Sequence, residues 1–218
     1  MLGHPRNKTM AFLKNLFDKR TPVEKFWAWV AEHENELAAE QPHASTIERF
    51  LDEFKNVRSH VAFQLGGGYL EIGAGGDPSR FGDVLRLVHA APPLQRLKVV
   101  AFCQRQPTQT LNAVIEGVGL TSDQVRFVSQ PNGRQVDLQV YVEGITHSPR
   151  DAPLISKTHL LLHAAVGEYD LGVKVARLDI RPLHEAPGSH RPLSELPTVL
   201  DPLPSVAPIE FLRNQRRT

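Results

Sequence analysis

Residues 158–182 read THLLLHAAVGEYDLGVKVARLDIRP and carry the clearest secondary-structure pattern of the chain. At about 100° per residue, Thr158, Leu161, Leu162 and Ala165 fall on one face of a helix. Such an apolar face is expected to pack on a sheet. Gly167 suits the residue that ends the helix, because glycine adopts a positive φ without steric cost.

An alternating pattern follows over residues 173–180 and predicts a strand, which Pro182 ends because proline lacks a ladder donor. Glu168, Tyr169 and Asp170 are then predicted at a helix-to-strand junction. They are candidate catalytic residues, because segments held by a rigid scaffold often present functional groups. The structural alternative is that Tyr169 packs at the sheet end, Asp170 bonds turn amides and Glu168 is solvated.

The N-terminal part predicts two antiparallel helices joined by a short break. Residues 21–24, TPVE, have the pattern of a capping box with proline at the first helical position. Pro42 separates this helix from a second one, predicted from Ile47 to about Val57. Trp27 lies off the buried face of the first helix, and Leu160 points away from the core face of its own helix. Both are therefore candidate interaction residues. Ordinary helix-helix packing explains Trp27 about as well.

Strand patterns fill the middle of the chain. Residues 60–65 and 69–73 flank three glycines, and residues 125–129 and 136–142 flank an Asn-Gly pair, which predicts two hairpins. The apolar run from Leu97 to Cys103 predicts a central strand buried on both faces. Cys103 would then lie in the core as an inert thiol.

These elements predict an α+β fold because hairpins outnumber strand-helix-strand units. The expected architecture is a two-layer sandwich, a mostly antiparallel sheet with helices packed on one face, preceded by the N-terminal helices. Residues 21–182 are predicted to form a single domain. An extension over residues 1–20 precedes it. A proline-rich, extended tail over residues 183–218 follows it and is expected to wrap the domain or a partner.

Composition limits the function classes. A net charge of +1 with 22% charged residues over 218 residues gives no bias towards nucleic acid, so none is expected. A single cysteine fits a reducing compartment, and no apolar run approaches the roughly 20 residues of a transmembrane segment. The start lacks a secretory signal, with Met1 and Met10 as alternative start residues. We therefore expect a cytoplasmic protein.

Residues 10–20 place apolar side chains at helical spacing with lysine and arginine around them. This pattern fits a short amphipathic helix on a membrane surface. The favoured interpretation is an N-terminal helix that docks on the protein or on a neighbour.

His159 and His163 have the i, i+4 spacing that lets two imidazoles reach one metal ion. The zinc-hydrolase motif also needs a glutamate directly after the first histidine, and Leu160 occupies that position. The alternative is two histidines at the helix boundary. No metal and no cofactor is expected.

Gly73, Gly75 and Gly76 precede a predicted helix and resemble a phosphate-binding turn. The dinucleotide fingerprint needs a further glycine where Pro78 stands. A strand-to-helix turn capped by Asp77 is the simpler interpretation. No anion site is therefore expected, with Gly75 and Gly76 the residues that would form one.

Three segments resemble a family of uncharacterised bacterial proteins: FWAWVAEHENEL (26–37), APPLQRLKVVAFCQRQP (91–107) and LLLHAAVGEYDLGVKVARLDIRPL (160–183). The likeness spans roughly residues 22–196, and GEYD is its most specific part. The resemblance implies a bacterial protein with a meaningful junction at Gly167–Asp170. It implies no catalytic residue, cofactor or substrate.

Three hypotheses of function follow. The leading one is a non-enzymatic cytoplasmic interaction module, an adaptor or immunity-type protein, with a protein partner or a second copy of itself. The alternative is a hydrolase-like or metal-binding enzyme that uses His159, His163, Glu168, Tyr169 and Asp170. The second alternative is peripheral membrane attachment through residues 10–20.

Overall fold

The computed structural model describes residues 19–57, 61–205 and 208. Within these ranges the fold is α+β, with two mixed sheets and helices packed against them. The first sheet has the order β1-β2-β3 and consists of Ala62–Gly66, Tyr69–Gly73 and Lys98–Ala101. The second has the order β6-β5-β4-β7, formed in chain order by Val125–Asn132 (β4), Gln135–Val142 (β5), Val175–Pro182 (β6) and Arg191–Pro192 (β7).

The α-helices lie before, between and after these strands. In chain order they are Pro22–Glu32 (α1), Glu34–Leu37 (α2), Ala44–Asn56 (α3), Phe81–His89 (α4), Thr108–Gly117 (α5), Ala152–Val166 (α6), Glu168–Lys174 (α7) and Leu196–Leu200 (α8). Short 3-10 turns occupy Pro78–Arg80, Pro149–Asp151, Leu183–Glu185 and Leu193–Glu195.

Both predicted hairpins are confirmed. Strands β1 and β2 pair antiparallel around Gly67 and Gly68, and β4 and β5 pair antiparallel around a turn in which Gly133 has φ 63°. The sheets are mixed because β3 runs parallel to β2, and β6 runs parallel to β5.

Strand β3 corrects the prediction of a central strand. It is an edge strand that pairs with β2 alone in the described residues, and its side chains are exposed or half-buried. A short apolar run does not distinguish a central strand from an edge strand. Cys103 lies beyond the end of β3 rather than in a core strand.

The GEYD segment corrects the predicted helix-to-strand junction. Gly167 ends α6 with φ 85°, as expected of a terminating glycine, and a second helix, α7, begins at once. The N–H of Leu171 donates to the carbonyl of Gly167 at 3.1 Å, which forms the first turn of α7. Strand β6 therefore begins at Val175 instead of Val173.

Each sheet has its own hydrophobic core. Helix α6 packs on the second sheet with Thr158, Leu161, Leu162 and Ala165 buried, as its periodicity predicts. Leu160 on the same helix is 58% exposed, also as predicted. The first sheet is covered by α1, α3 and α4, whose buried side chains include Phe26, Phe50 and Phe81.

The position of Trp27 differs from the predicted one on the open side of its helix. The capping box of α1 is present, with the Thr21 side chain bonded to the Glu24 N–H, but Trp27 is only 2% exposed. Its indole N–H donates to the carbonyl of Leu87 at 2.9 Å. Helix α4 thus covers the side of α1 that the sequence pattern left open, and Trp27 is a core residue.

Residues from Leu183 to the end of α8 pack on the second sheet, partly as short helical turns. Leu193, Leu196 and Leu200 are buried in its core, and β7 pairs with β4. Prolines begin these short helical turns, where the missing N–H has no cost. The domain limits stay predictions. Of the helix predicted over residues 10–20, residues 10–18 lie outside the described residues.

Candidate functional site

The carboxylate of Glu168 lies at the first residue of α7, is 2% exposed and is bound by three backbone N–H groups. Its Oε1 accepts from Ala74 at 2.9 Å and from Gly76 at 2.8 Å, and its Oε2 accepts from Cys103 at 3.1 Å. The expected solvated position of Glu168 is therefore wrong. The side chain joins α7 to both the turn after β2 and the segment after β3.

The glycine turn does hold an anion, and that anion is the carboxylate of Glu168. Gly75 and Gly76 have φ values of 64° and 80°, which orient the turn around the carboxylate. A Cβ on Gly73 would lie 2.6 Å from Oε2 of Glu168, so a larger residue there would displace the carboxylate. The glycine pattern that resembles a phosphate-binding turn therefore binds a carboxylate of the protein itself.

Residues 102–104 present consecutive N–H groups to three acceptors. Phe102, with φ 68°, donates to the Ile72 carbonyl at 2.7 Å, and Gln104 donates to Oε2 of Glu71 at 3.1 Å. Between them, Cys103 donates to Glu168 and accepts from the Glu168 N–H at 2.9 Å. A positive φ is rare for a bulky residue and is retained where the surrounding structure imposes it.

A cavity of about 350 Å³ lies between α6 and strands β1 and β2. Its wall includes side chains from both sides, among them Phe63, Glu71, His159, Leu160, His163 and Glu168. Gly75, Gly76 and Cys103 also line it. The fold therefore brings together the two predicted histidines, the predicted glycines, Leu160 and one of the three GEYD side chains.

His163 is only 5% exposed, which corrects its predicted place at a boundary or solvent position. Its Nε2 is buried and has no hydrogen-bond partner within the described part of the chain. A Cβ on Gly76 would lie 3.6 Å from that atom, so the glycine turn covers this side of α6. Burial lowers the pKa of His163, and His159 lowers it further, whereas the charge of Glu168 raises it.

His159 lies one turn earlier on α6, and burial lowers its pKa as well. Both imidazoles are therefore neutral at pH 7. No group of three histidine, cysteine, aspartate or glutamate side chains in residues 19–57 and 61–205 is arranged to hold a metal ion.

Cys103 does not have the chemistry of a nucleophile. Burial, followed by the charges of Glu71 and Glu168, raises the pKa of its thiol to about 12, so it stays protonated. The thiol hydrogen-bonds to Glu71, whose own pKa is raised mainly by burial.

Tyr169 and Asp170 lie outside this cavity. The Tyr169 ring packs on Phe81 and Phe102 at centroid distances of 5.4 and 5.1 Å. Asp170 accepts from Lys174 at 2.9 Å and from the Ser205 hydroxyl at 3.3 Å. Sequence reasoning missed Glu71, because nothing in its strand pattern distinguishes it from a solvent-facing residue.

Comparisons with protein-family models, with curated proteins and with solved structures gave no match. The resemblance to a bacterial family therefore stays a prediction. Among the described helices, none has both the length and the apolar character needed to cross a membrane.

Proposed function

We propose that this chain binds a small molecule in the cavity between α6 and strands β1 and β2. The observation that carries the proposal is the buried Nε2 of His163, which has no partner in the described residues. Buried polar atoms in folded proteins are nearly always hydrogen-bonded, and an unmade bond costs about 1–3 kcal/mol. A bound molecule that bonds to Nε2 would recover this cost.

The shape and lining of the cavity support the same function. Its volume of about 350 Å³ lies at the lower end of the range of small-molecule sites, roughly 300–1,000 Å³. Phe63 and Leu160 supply apolar surface, while His163 supplies a directional polar atom. A neutral imidazole either donates or accepts at Nε2, depending on its tautomer, so hydroxyl and amine groups are suitable partners.

Fragment binding measured by protein-observed NMR tests this function. We expect fragments to shift the amide signals of residues 73–76 and 103 in the wild-type protein. The variant His163→Phe keeps an aromatic ring, of larger volume, removes Nε2 and should weaken polar fragments. His184→Phe is the control, because His184 is exposed and is not among the residues that line the cavity. Absence of fragment binding to the wild type would end the proposal.

The interaction module is a second proposal, supported by Leu160, which is 58% exposed at the cavity rim. Its other predicted anchor, Trp27, is buried and no longer contributes. If a protein partner or a second copy docks on α6, Leu160→Ser should abolish the complex seen by native mass spectrometry. Leu51→Ser is the matched control, at 37% exposure on α3. A complex that survives Leu160→Ser would exclude docking through this residue.

The structure leaves the enzyme alternative with fewer candidate catalytic side chains than the sequence pattern suggested. Tyr169 and Asp170 lie outside the cavity, Glu168 is bound by three N–H groups, and the Cys103 thiol is protonated. His159 and His163 remain as proton-transfer groups. Turnover of fragments that bind the cavity would support this alternative.

Membrane attachment through residues 10–20 and the cytoplasmic location both stay predictions. Liposome sedimentation with and without residues 1–20 tests the first. A bound fraction that disappears with the deletion would support it.

A further inference from the structure

We infer that the molecule bound in this cavity carries a positively charged amine that pairs with the carboxylate of Glu71. The inference rests on the proposed small-molecule site and names the chemistry of its ligand. It follows from the charged side chains that line the cavity and from the hydrogen bonds that each of them already forms.

The cavity has an excess of negative charge. Its lining includes Glu71 and Glu168, and neither lysine nor arginine is among the described residues that form its wall. At short range in a partly buried site, two carboxylates attract a cation and repel an anion. The glycine turn adds no anion site, because its N–H groups already bind Glu168.

The two carboxylates differ in how many of their hydrogen-bond acceptor positions are still free. Glu168 is fully buried behind three backbone donors. Glu71 is half-buried in the wall and accepts one backbone N–H, from Gln104, together with the Cys103 thiol. An ionised carboxylate accepts at about four positions, so Glu71 keeps acceptor capacity towards the cavity.

In the described part of the chain, Glu71 forms no ion pair, and the charge of Glu168, which acts on it, is also negative. Lys98 lines a neighbouring cavity together with Glu71. Lys98, on the neighbouring strand, lies over the Tyr69 ring, with Nζ 5.3 Å from the ring centre. A half-buried carboxylate without a cation is costly, and an ammonium group from a ligand would offset that cost.

The Nε2 of His163 is a second and independent pointer to a ligand. It belongs to a side chain that is 5% exposed and lines the same cavity, and it has no partner in the described residues. An ammonium group carries three donors. One amine can therefore bond to Glu71, and a second donor of the ligand can bond to His163, while Phe63 and Leu160 contact its apolar part.

Three matched probes test the inference: benzylamine, benzyl alcohol and benzoate, each titrated into the full chain at pH 7 and followed by NMR shifts. We expect benzylamine to bind about threefold to tenfold more tightly than benzyl alcohol, the range for one partly screened ion pair. Benzoate should bind weakest. Added salt should reduce the preference for the amine.

The variant Glu71→Gln should bring benzylamine and benzyl alcohol to about equal affinity, mainly by weakening the amine. Glu116→Gln is the control, since Glu116 is exposed on α5. Equal affinities of amine and alcohol for the wild-type protein would overturn the inference and leave the small-molecule site standing. No binding of any probe or fragment would instead remove the proposed function itself. If Glu71→Gln does not fold, the affinities of benzylamine and benzyl alcohol for the wild-type protein still test the inference.

Discussion

The Oε1 of Glu168 accepts a hydrogen bond of 2.8 Å from the N–H of Gly76, a residue 92 positions earlier in the chain. Glu168 begins a helix that follows the long helix of the second sheet, and Gly76 lies in the turn that leaves the first sheet. The same carboxylate also binds the N–H groups of Ala74 and Cys103. One side chain thus connects the cores of both sheets and forms part of the cavity wall.

Replacement of this carboxylate by an amide should destabilise the fold. In Glu168→Gln, the side-chain NH2 group would face at least one backbone N–H, and a buried donor would lose its acceptor. We expect the free energy of unfolding to fall by about 1–3 kcal/mol. Urea denaturation measures the loss, with Glu116→Gln as an exposed control. Equal stabilities of the two variants would contradict a structural role of Glu168.

Gly73 offers a steric test of the same contact. In Gly73→Ala, the new Cβ would lie 2.6 Å from Oε2 of Glu168, closer than real contacts allow. The expected result is a loss of about 1–3 kcal/mol, typical of overpacking. Gly117→Ala is the matched control, because nothing lies within 4 Å of its Cβ and alanine favours the helix. Thermal unfolding of both variants should show opposite or clearly unequal shifts.

The histidine pair should make the fold sensitive to mild acid. Burial lowers the pKa of His159 and His163 in the folded protein, while in the unfolded chain both titrate at about 6.5. The unfolded state therefore binds more protons just below pH 6.5, and stability falls as pH is lowered through that value. Above about pH 7.5, the two histidines should not affect the stability of the fold.

The measurement is the free energy of unfolding against pH for the wild type and for His159→Gln/His163→Phe. Glu71 acts in the opposite sense at lower pH, since its pKa is raised, but it is common to both proteins. The difference between the two curves should therefore grow between pH 7 and 5. Parallel curves would show that the imidazoles are not buried as neutral groups.

Trp27 and Trp29 provide a matched pair on one helix. Trp27→Phe removes the indole donor to the Leu87 carbonyl and leaves a small gap, which should cost about 1–3 kcal/mol. Trp29 is half-buried and stacks on His33 with ring centroids 4.4 Å apart, so Trp29→Phe should cost less. Denaturation followed by circular dichroism compares them. A larger loss for Trp29→Phe would contradict the core position of Trp27.

Much of the local structure was predictable because it depends on neighbours in the chain. The capping box at Thr21, the glycine turn of the first hairpin and the termination of the long helix at Gly167 each follow from backbone preferences of a few residues. The buried face of that helix follows from its periodicity. These features appear in the structure as the pattern predicts.

The misplaced residues share a different cause. Trp27 and His163 were expected on open sides of their helices, and Glu168 in a solvated junction. Each is covered by a segment distant in sequence. Helical periodicity reports one preferred face and does not show what packs on the others. Cys103 was misplaced for a related reason, since an apolar run does not reveal which strands flank it.

For the site, the sequence alone nominated His159, His163, Gly75, Gly76 and Glu168 as separate candidates, through motif spacing and residue type. Only the tertiary structure decided that the glycine turn holds the Glu168 carboxylate, that Glu71 and Cys103 lie beside them, and that Tyr169 and Asp170 lie elsewhere. The physical reason is the range of the interactions. Backbone preference and hydrophobic period act over a few residues, whereas the desolvation and hydrogen bonding of a buried carboxylate depend on groups that only folding brings within 3 Å or so of it.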